Sequence, residues 1–166
     1  MTRLPTPNPV LDLVRPGDLV VMIGASASGK STLLTNVPSH QVVSLDRLRA
    51  AVSEPGDQGA TPDALLIHNQ IIATRLRRGK TTYADNTSVL AAHRVRLVRL
   101  ARQYGRRAVA ITVDTPLDTC LHRNAQRPDE QRVPDVVVRL QHRLAAVVRT
   151  RLSEEGFAAV HHVRGH

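Results

Sequence analysis

The chain has 166 residues, a formal net charge of +9 and 42% hydrophobic residues, enough for one folded domain with a proper core. Aromatic residues make up 2% and tryptophan is absent, so Val, Leu, Ile and Ala must build that core. A single cysteine, Cys120, excludes an internal disulfide or a cysteine-based zinc site and fits a reducing cytoplasm, while no apolar run is long enough for a bilayer span and no membrane partner is expected.

The segment MTRLPTPNPV carries three prolines and no apolar signal core, so residues 1–17 read as an extended N-terminal arm. Asp18–Ile23 (DLVVMI) reads as a buried strand, and a helix opens over Thr32–Asn36. Gln41–Asp46 (QVVSLD) reads as a second strand, followed by a short helix over Asp46–Val52 and a loop over Ser53–Pro62. Pro62–Arg78 keeps Leu65, Leu66, Ile72 and Leu76 at helical spacing before a Gly79 stop. Thr81–Asp85 reads as a third strand, less apolar than the others. A helix over Val89–Tyr104, with Val95, Leu97, Val98 and Leu100, ends at Gly105. Ala108–Val113 is a clear fourth strand, Pro116–Arg127 and Pro134–Glu155 are helices, and Ala158–Val163 is a fifth strand. Such alternation predicts an α/β fold with a parallel sheet of about five strands and helices on both faces.

Between the first strand and the first helix, Gly24, Gly29, Lys30 and Ser31 meet the pattern G-x-x-x-x-G-K-[ST] in full. Glycines let such a loop wrap with its backbone N–H groups inward, so the stretch from Gly24 through Ala27, Ser28 and Gly29 to Thr32 is expected to cradle phosphates. Lys30 would reach the β- and γ-phosphates of ATP, and the Ser31 hydroxyl would ligate Mg²⁺. Metal chemistry of this kind calls for a second acid at the end of another strand; Asp85 is the candidate, with a strand-end or cap role as the plainer alternative.

Asp46 lies at the end of the second strand and would face the same crevice, where a carboxylate can take a proton from a hydroxyl. Arg49, three residues on, would share its face and hold an anionic part of the acceptor. Arg123 and Arg127 are four apart on one helical face and, with Arg132, mark a helix–loop–helix lid whose cations would neutralise a phosphoryl-transfer transition state. A solvated basic face is the plainer reading of those arginines.

Cys120 reads as a small buried apolar residue. The eight histidines show no compact metal spacing; His161 and His162 read as strand or tail residues, and His68 as core-edge or surface. Only Lys30 and Lys80 are lysines, so arginine supplies 21 of the 23 basic residues. That charge fits a polyanion partner such as nucleic acid, or equally a compositional bias spread over solvated helices.

The order GASASGKST, SLDRLR, GKTTYADNTS, RLARQYGRRAVAITVDTPLDTCLHRNAQRP, RVPDVVVRLQHRL resembles the polynucleotide 5′-kinase domain of bacterial and phage end-healing enzymes, from about Leu19 to Val163. The S-x-D-x-x-R and R-N-x-x-R segments carry the resemblance more specifically than the phosphate loop. The resemblance implies a P-loop kinase-like three-layer fold over residues 18–166 with a helical arginine lid, ATP and Mg²⁺ as cofactors, and nucleic-acid 5′-hydroxyl ends as acceptors. It implies that Lys30 and Ser31 bind ATP and Mg²⁺, that Asp46 takes the 5′-hydroxyl proton, that Arg49 contacts the terminal nucleotide's phosphate and that Arg123 and Arg127 contact the ATP phosphates. Asp85 falls at the family's strand-end acid, although Asn86 and Ser88 depart from its usual DATN. Two other readings stand beside this one: a P-loop kinase of a small-molecule hydroxyl, and a nucleotide-binding switch without phosphotransfer.

Overall fold

The computed structural model describes residues 9–165. Five strands, β1 (Leu19–Ile23), β2 (Val42–Ser44), β3 (Thr82–Asp85), β4 (Ala108–Asp114) and β5 (Ala159–Arg164), form one sheet in the order β2-β3-β1-β4-β5. Every pairing is parallel, with Leu19 opposite both Thr82 and Ala108. Buried on both faces, β1 and most of β4 are continuous runs of apolar side chains, as central parallel strands require. The helices are α1 (Lys30–Leu33), α2 (Leu45–Val52), α3 (Thr61–Arg77), α4 (Ala91–Gln103), α5 (Leu117–Ala125) and α6 (Asp135–Arg149).

The alternating side chains of β1 divide the core in two. Leu19, Val21 and Ile23 point to the face covered by Ile72 and Leu76 of α3, Leu97, Val98 and Ala101 of α4, and Val148 of α6. Val20 and Met22 point to the other face, where Leu34, Val37 and the entering chain at Val10, Leu11 and Val14 cover them. The expected arm is therefore docked where it is described: Leu11–Leu13 forms a 3-10 turn, and Val10, Leu11 and Val14 pack on the sheet while Leu13 stays exposed. Residues 1–8 of that arm lie outside the described residues.

Several local expectations change; the helix expected over Pro134–Glu155 ends at Arg149, and a separate 3-10 turn over Leu152–Glu154 follows. The helix after the phosphate loop opens at Lys30, two residues before Thr32, and is a single turn of four residues. Strand β2 stops at Ser44 because the Ser44 side chain caps α2, which places Asp46 in the first turn of a helix rather than at a strand end. His68 is fully buried on α3, its ring 5.8 Å from that of His93, instead of lying at the core edge or surface. Burial pulls its pKa down to about 4, so the imidazole is neutral at neutral pH.

Candidate active site

Successive crossovers leave β1 toward opposite sides of the sheet, to β2 on one side and, after β3, to β4 on the other. A crevice forms beyond the carboxyl ends of strands at such a switch point. The loop from Gly24 to Gly29 sits there. Gly29 has φ +100° and Ala27 φ +62°, the left-handed conformations that wrap the loop. Gly24 is hemmed in: a Cβ there would stand 2.9 Å from the Val113 carbonyl oxygen.

Long-range contacts brace this loop from three sides. Gly24 N–H donates to the Thr87 carbonyl at 3.1 Å, and Ser26 N–H to Oε1 of Gln141 on α6 at 2.9 Å. The Thr115 hydroxyl donates to the Ser28 carbonyl at 2.6 Å. Just beyond β5, Gly165 lies so close to Thr115 that any Cβ would overlap its hydroxyl. Asn86, one of the two departures from the resembled motif, shapes the supporting turn: its Oδ1 accepts from both the N–H and the hydroxyl of Ser88, at 2.5 Å each. None of these supports is marked by local sequence pattern, because each partner of the loop is distant along the chain.

Lys30 is buried, and its ammonium donates to the carbonyls of Gly24 at 2.9 Å and Ala25 at 2.6 Å, with the Ser28 hydroxyl at 3.4 Å. Desolvation brings its pKa down to about 8; the Asp85 and Asp46 carboxylates oppose that shift, and the Arg127 guanidinium adds to it. Ser31 Oγ donates to Oδ2 of Asp85 at 2.9 Å. Burial pushes the Asp85 carboxyl pKa up, while the Ser31 hydrogen bond and Lys30 pull it down.

One cavity of about 700 Å³ is lined by Ala27, Ser28, Gly29, Lys30, Ser31 and Thr32 on the loop side. Arg123 in the last turn of α5 also lines it, as does Arg127, which lies past the helix end at Ala125 rather than on one helical face with Arg123, and Arg164 at the end of β5. The Arg123 guanidinium lies over Gly29, 3.6 Å from where a Cβ would be. Arg132 does not join them: it pairs with Asp129 at 3.0 Å and donates to the carbonyls of Ala125 and Arg127, closing the C-terminal end of α5. Buried Asn124 anchors the same connection, donating to the Val133 carbonyl at 2.6 Å and accepting from the Val133 N–H at 3.1 Å.

Asp46 and Arg49 form an ion pair across one turn of α2, so the two side chains share a face. They stand outside the wall of that cavity, but the Asp46 charge acts on both Lys30 and Asp85. Asp46 is 78% exposed, so its carboxylate is open to an incoming group. Across the crevice, Gly56 (φ +84°) in the loop between α2 and α3 touches the Glu130 carbonyl of the α5–α6 connection so closely that a Cβ would overlap it. Cys120 is buried as expected, with burial raising its thiol pKa.

Among the described residues, no cluster of three or more His, Cys, Asp or Glu could cage a metal by itself. The donor set beside the loop is instead one hydroxyl and one carboxylate, Ser31 and Asp85. Mg²⁺ accepts that arrangement, since it binds hard oxygens, keeps several waters and takes the rest of its shell from phosphates. No helix among the described residues is long and apolar enough to cross a membrane.

The fold is found in solved structures. A candidate kinase from Chloroflexus aurantiacus aligns with a TM-score of 0.64 at 17% identity, covering 90% of this chain and 89% of its own. A chain of the AvrRxo1-ORF1:AvrRxo1-ORF2 complex, solved with ATP, aligns with a TM-score of 0.64 at 18% identity. That match covers 87% of this chain but 52% of the other, so this chain spans about half the length of that one. A sugar kinase from Janibacter sp. aligns at 0.52 and 15% identity, covering 89% and 84% of the two chains. No curated protein sequence matches the chain. The AAA domain model AAA_33 matches residues 19–151, which include the whole loop, the Ser31–Asp85 pair and the arginine-bearing helix. The chain belongs to this AAA domain family and carries a P-loop kinase-like α/β fold.

Proposed function

We propose that the chain transfers the γ-phosphate of ATP to a hydroxyl, and that the acceptor is a 5′-hydroxyl at a polynucleotide end. The convergence of Lys30, Ser31, Arg123 and Arg127 on one cavity, with Asp46 in electrostatic reach of Lys30, carries this reading. The loop N–H groups and the Lys30 ammonium hold the β- and γ-phosphates. With a helix of one turn behind the loop, little macrodipole reaches the site, so backbone donors and cations must supply the binding. Ser31 and Asp85 would hold Mg²⁺, which when bound neutralises charge on the phosphate oxygens.

Asp46 accepts the proton of the acceptor hydroxyl as its oxygen attacks the γ-phosphorus. The bond from phosphorus to the bridging oxygen breaks, and ADP departs with that electron pair. Arg123, whose guanidinium lies over the loop, and Arg127 line the same cavity and stabilise the charge spread over the transferring group. Arg49 turns its guanidinium toward Asp46, holding the carboxylate and presenting a cation to a phosphate beside the reacting hydroxyl.

The polynucleotide acceptor rests on the S-x-D-x-x-R and R-N-x-x-R resemblance together with the arginine-rich charge of the chain. The test is an acceptor panel: a 5′-hydroxyl oligonucleotide, the same oligonucleotide already 5′-phosphorylated, and a set of sugars, each with ATP and Mg²⁺. Phosphate on the 5′-hydroxyl oligonucleotide alone, at a rate that falls steeply with added salt, is the expected result. Phosphate on a sugar instead assigns a small-molecule kinase, and nucleotide binding with no phosphorylated acceptor assigns a switch.

A further inference from the structure

The basic residues of the chain are not all gathered at the candidate active site. Three turns lead into the adjacent strands β3, β1 and β4: Arg77-Arg78-Gly79-Lys80, Arg15-Pro16-Gly17 and Gly105-Arg106-Arg107. Leu19 pairs with both Thr82 and Ala108, so these turns lie side by side at the amino ends of the strands. Neighbouring strands stand about 4.8 Å apart, which sets the turns in a close row. The Arg106 guanidinium lies between two of them, against the bare Cα positions of Gly17 and Gly79, and its Nε donates to the Leu76 carbonyl at 3.3 Å. Arg15, Arg77, Arg78 and Lys80 lie at the surface of these turns, and Arg106 and Arg107 are half-buried.

The acid within this row is Asp18, itself buried, with Arg107 at 3.6 Å and the Arg15 N–H at 2.9 Å. Most exposed acids sit elsewhere: Asp46, Glu54, Asp57 and Asp63 around the α2–α3 loop, Asp118, Asp129, Glu130 and Asp135 around α5 and its connection to α6, and Glu154 before β5; Asp12, in the turn three residues before Arg15, is the exposed acid that comes nearest in sequence. Cations line the crevice as well, at Lys30, Arg123, Arg127 and Arg164, but there exposed acids stand among them, whereas at the opposite pole the three turns themselves carry no exposed acid. Arg77 and Arg78 also complement the carboxyl end of α3, but that accounts for neither Arg15, Lys80 nor Arg106.

We infer that this pole is a docking surface for the phosphate backbone of a nucleic acid, separate from the phosphate-transfer site. Planar guanidinium forks in a row suit repeated phosphates, which they grip two bonds at a time. The turns offer arginine and glycine rather than the aromatic and leucine side chains that seat a protein in lipid. The seven residues of β4 separate the pole from the crevice by about 23 Å at 3.3 Å per residue, so the surface grips internal phosphodiesters, not the reacting end.

The test is fluorescence anisotropy of the full chain with a 3′-labelled, 5′-phosphorylated single-stranded oligonucleotide, without ATP. Such an oligonucleotide has no acceptor hydroxyl at its 5′ end, so the result is independent of whether the chain is a polynucleotide kinase. The combined variant Arg77→Ser, Arg78→Ser, Lys80→Ser should bind at least tenfold more weakly at low salt. Its slope of log K against log salt should flatten by roughly 0.7 for each phosphate that the side chains no longer neutralise. Its affinity for a fluorescent ATP analogue should not change, which shows that the fold is intact. Arg15→Ser, outside any helix, should move oligonucleotide affinity in the same direction and guards against an effect confined to α3. Unchanged affinity and slope in both variants would overturn the inference. So would an unaltered chain that binds no oligonucleotide, or one that binds phosphatidylserine vesicles in its place.

Discussion

Ser31 Oγ donates a 2.9 Å hydrogen bond to Oδ2 of Asp85, tying the residue after the loop lysine to the end of the neighbouring strand. The bond spans 54 residues of sequence and exists because β1 and β3 pair directly. Two hard oxygens meet there beside the phosphate cavity. Asp85→Asn keeps the volume and the acceptor for Ser31 but removes the charge. Phosphotransfer should fall by roughly 10²–10³-fold, in the range seen when one charge-stabilising group is removed. ATP affinity should drop in the presence of Mg²⁺ and stay unchanged without it. Because burial raises the carboxyl pKa, the folded chain favours the protonated form, and the ionised form carries a penalty above that pKa. Thermal unfolding at neutral pH should therefore show the variant no less stable than the parent; calorimetric titration with and without Mg²⁺ checks the rest.

Lys30 gives opposite pH trends with and without nucleotide. Its pKa is lowered from 10.5 to about 8, chiefly by burial. The proposed phosphate site needs the ammonium form, so ATP affinity should be full below pH 8 and decline as pH rises past it. Without nucleotide, the unfolded chain holds more protons than the folded one between pH 8 and 10.5, so the Lys30 contribution to stability should rise through that window. Arg127 lowers the Lys30 pKa, so Arg127→Ala should move the affinity midpoint upward. Titrating ATP binding from about pH 6.5 to about 9.5 in both forms, a span that brackets the folded-state value, measures this. A flat profile would remove Lys30 from the binding step.

Gly56 offers a handle on closure of the crevice. Its φ of +84° and its contact with the Glu130 carbonyl leave no space for a side chain. Gly56→Ala should separate the α2–α3 loop from the α5–α6 connection at a cost of about 1 kcal/mol or more in stability, the scale set for alanine at a left-handed position. With the crevice opened to water, ATP hydrolysis without acceptor should rise relative to phosphotransfer. Measuring both rates on one preparation decides it, and an unchanged ratio would show that this contact does not seal the site.

Strands β1 and β4 are plain in the sequence because a buried parallel strand is an unbroken apolar run, and the phosphate loop because its glycines and lysine are local. The first helix is less plain. Thr32–Asn36 has helical composition, but the chain leaves the helix at Leu34 and turns toward Pro38, so a single turn remains. Asp46 reads as a strand-end residue because Leu45 extends the apolar pattern of Val42 and Val43, whereas the Ser44 hydroxyl starts a helix there. Burial of His68 depends on His93 and β2, neither of which a helical pattern reveals. Arg132 shares its residue type with Arg123 and Arg127, but its distance past the end of α5 turns it onto backbone carbonyls. Local pattern carries the loop and the sheet; the braces at Thr87, Gln141 and Thr115 are tertiary and have no local mark.

Asp46 bears the chemistry of the proposed transfer. The most direct measurement is a rapid-quench single turnover with γ-labelled ATP, Mg²⁺ and a 5′-hydroxyl oligonucleotide, comparing the parent chain with Asp46→Asn. Label should pass to the oligonucleotide in the parent, and the variant should be slower by roughly 10²–10⁴-fold, the range for loss of a general base. ATP affinity should be unchanged, and so should stability to within about 1 kcal/mol, since the Asp46 carboxylate of the Asp46–Arg49 pair is largely exposed. Equal rates of label transfer in the two proteins, or ATP bound by the parent with no labelled oligonucleotide, would contradict it.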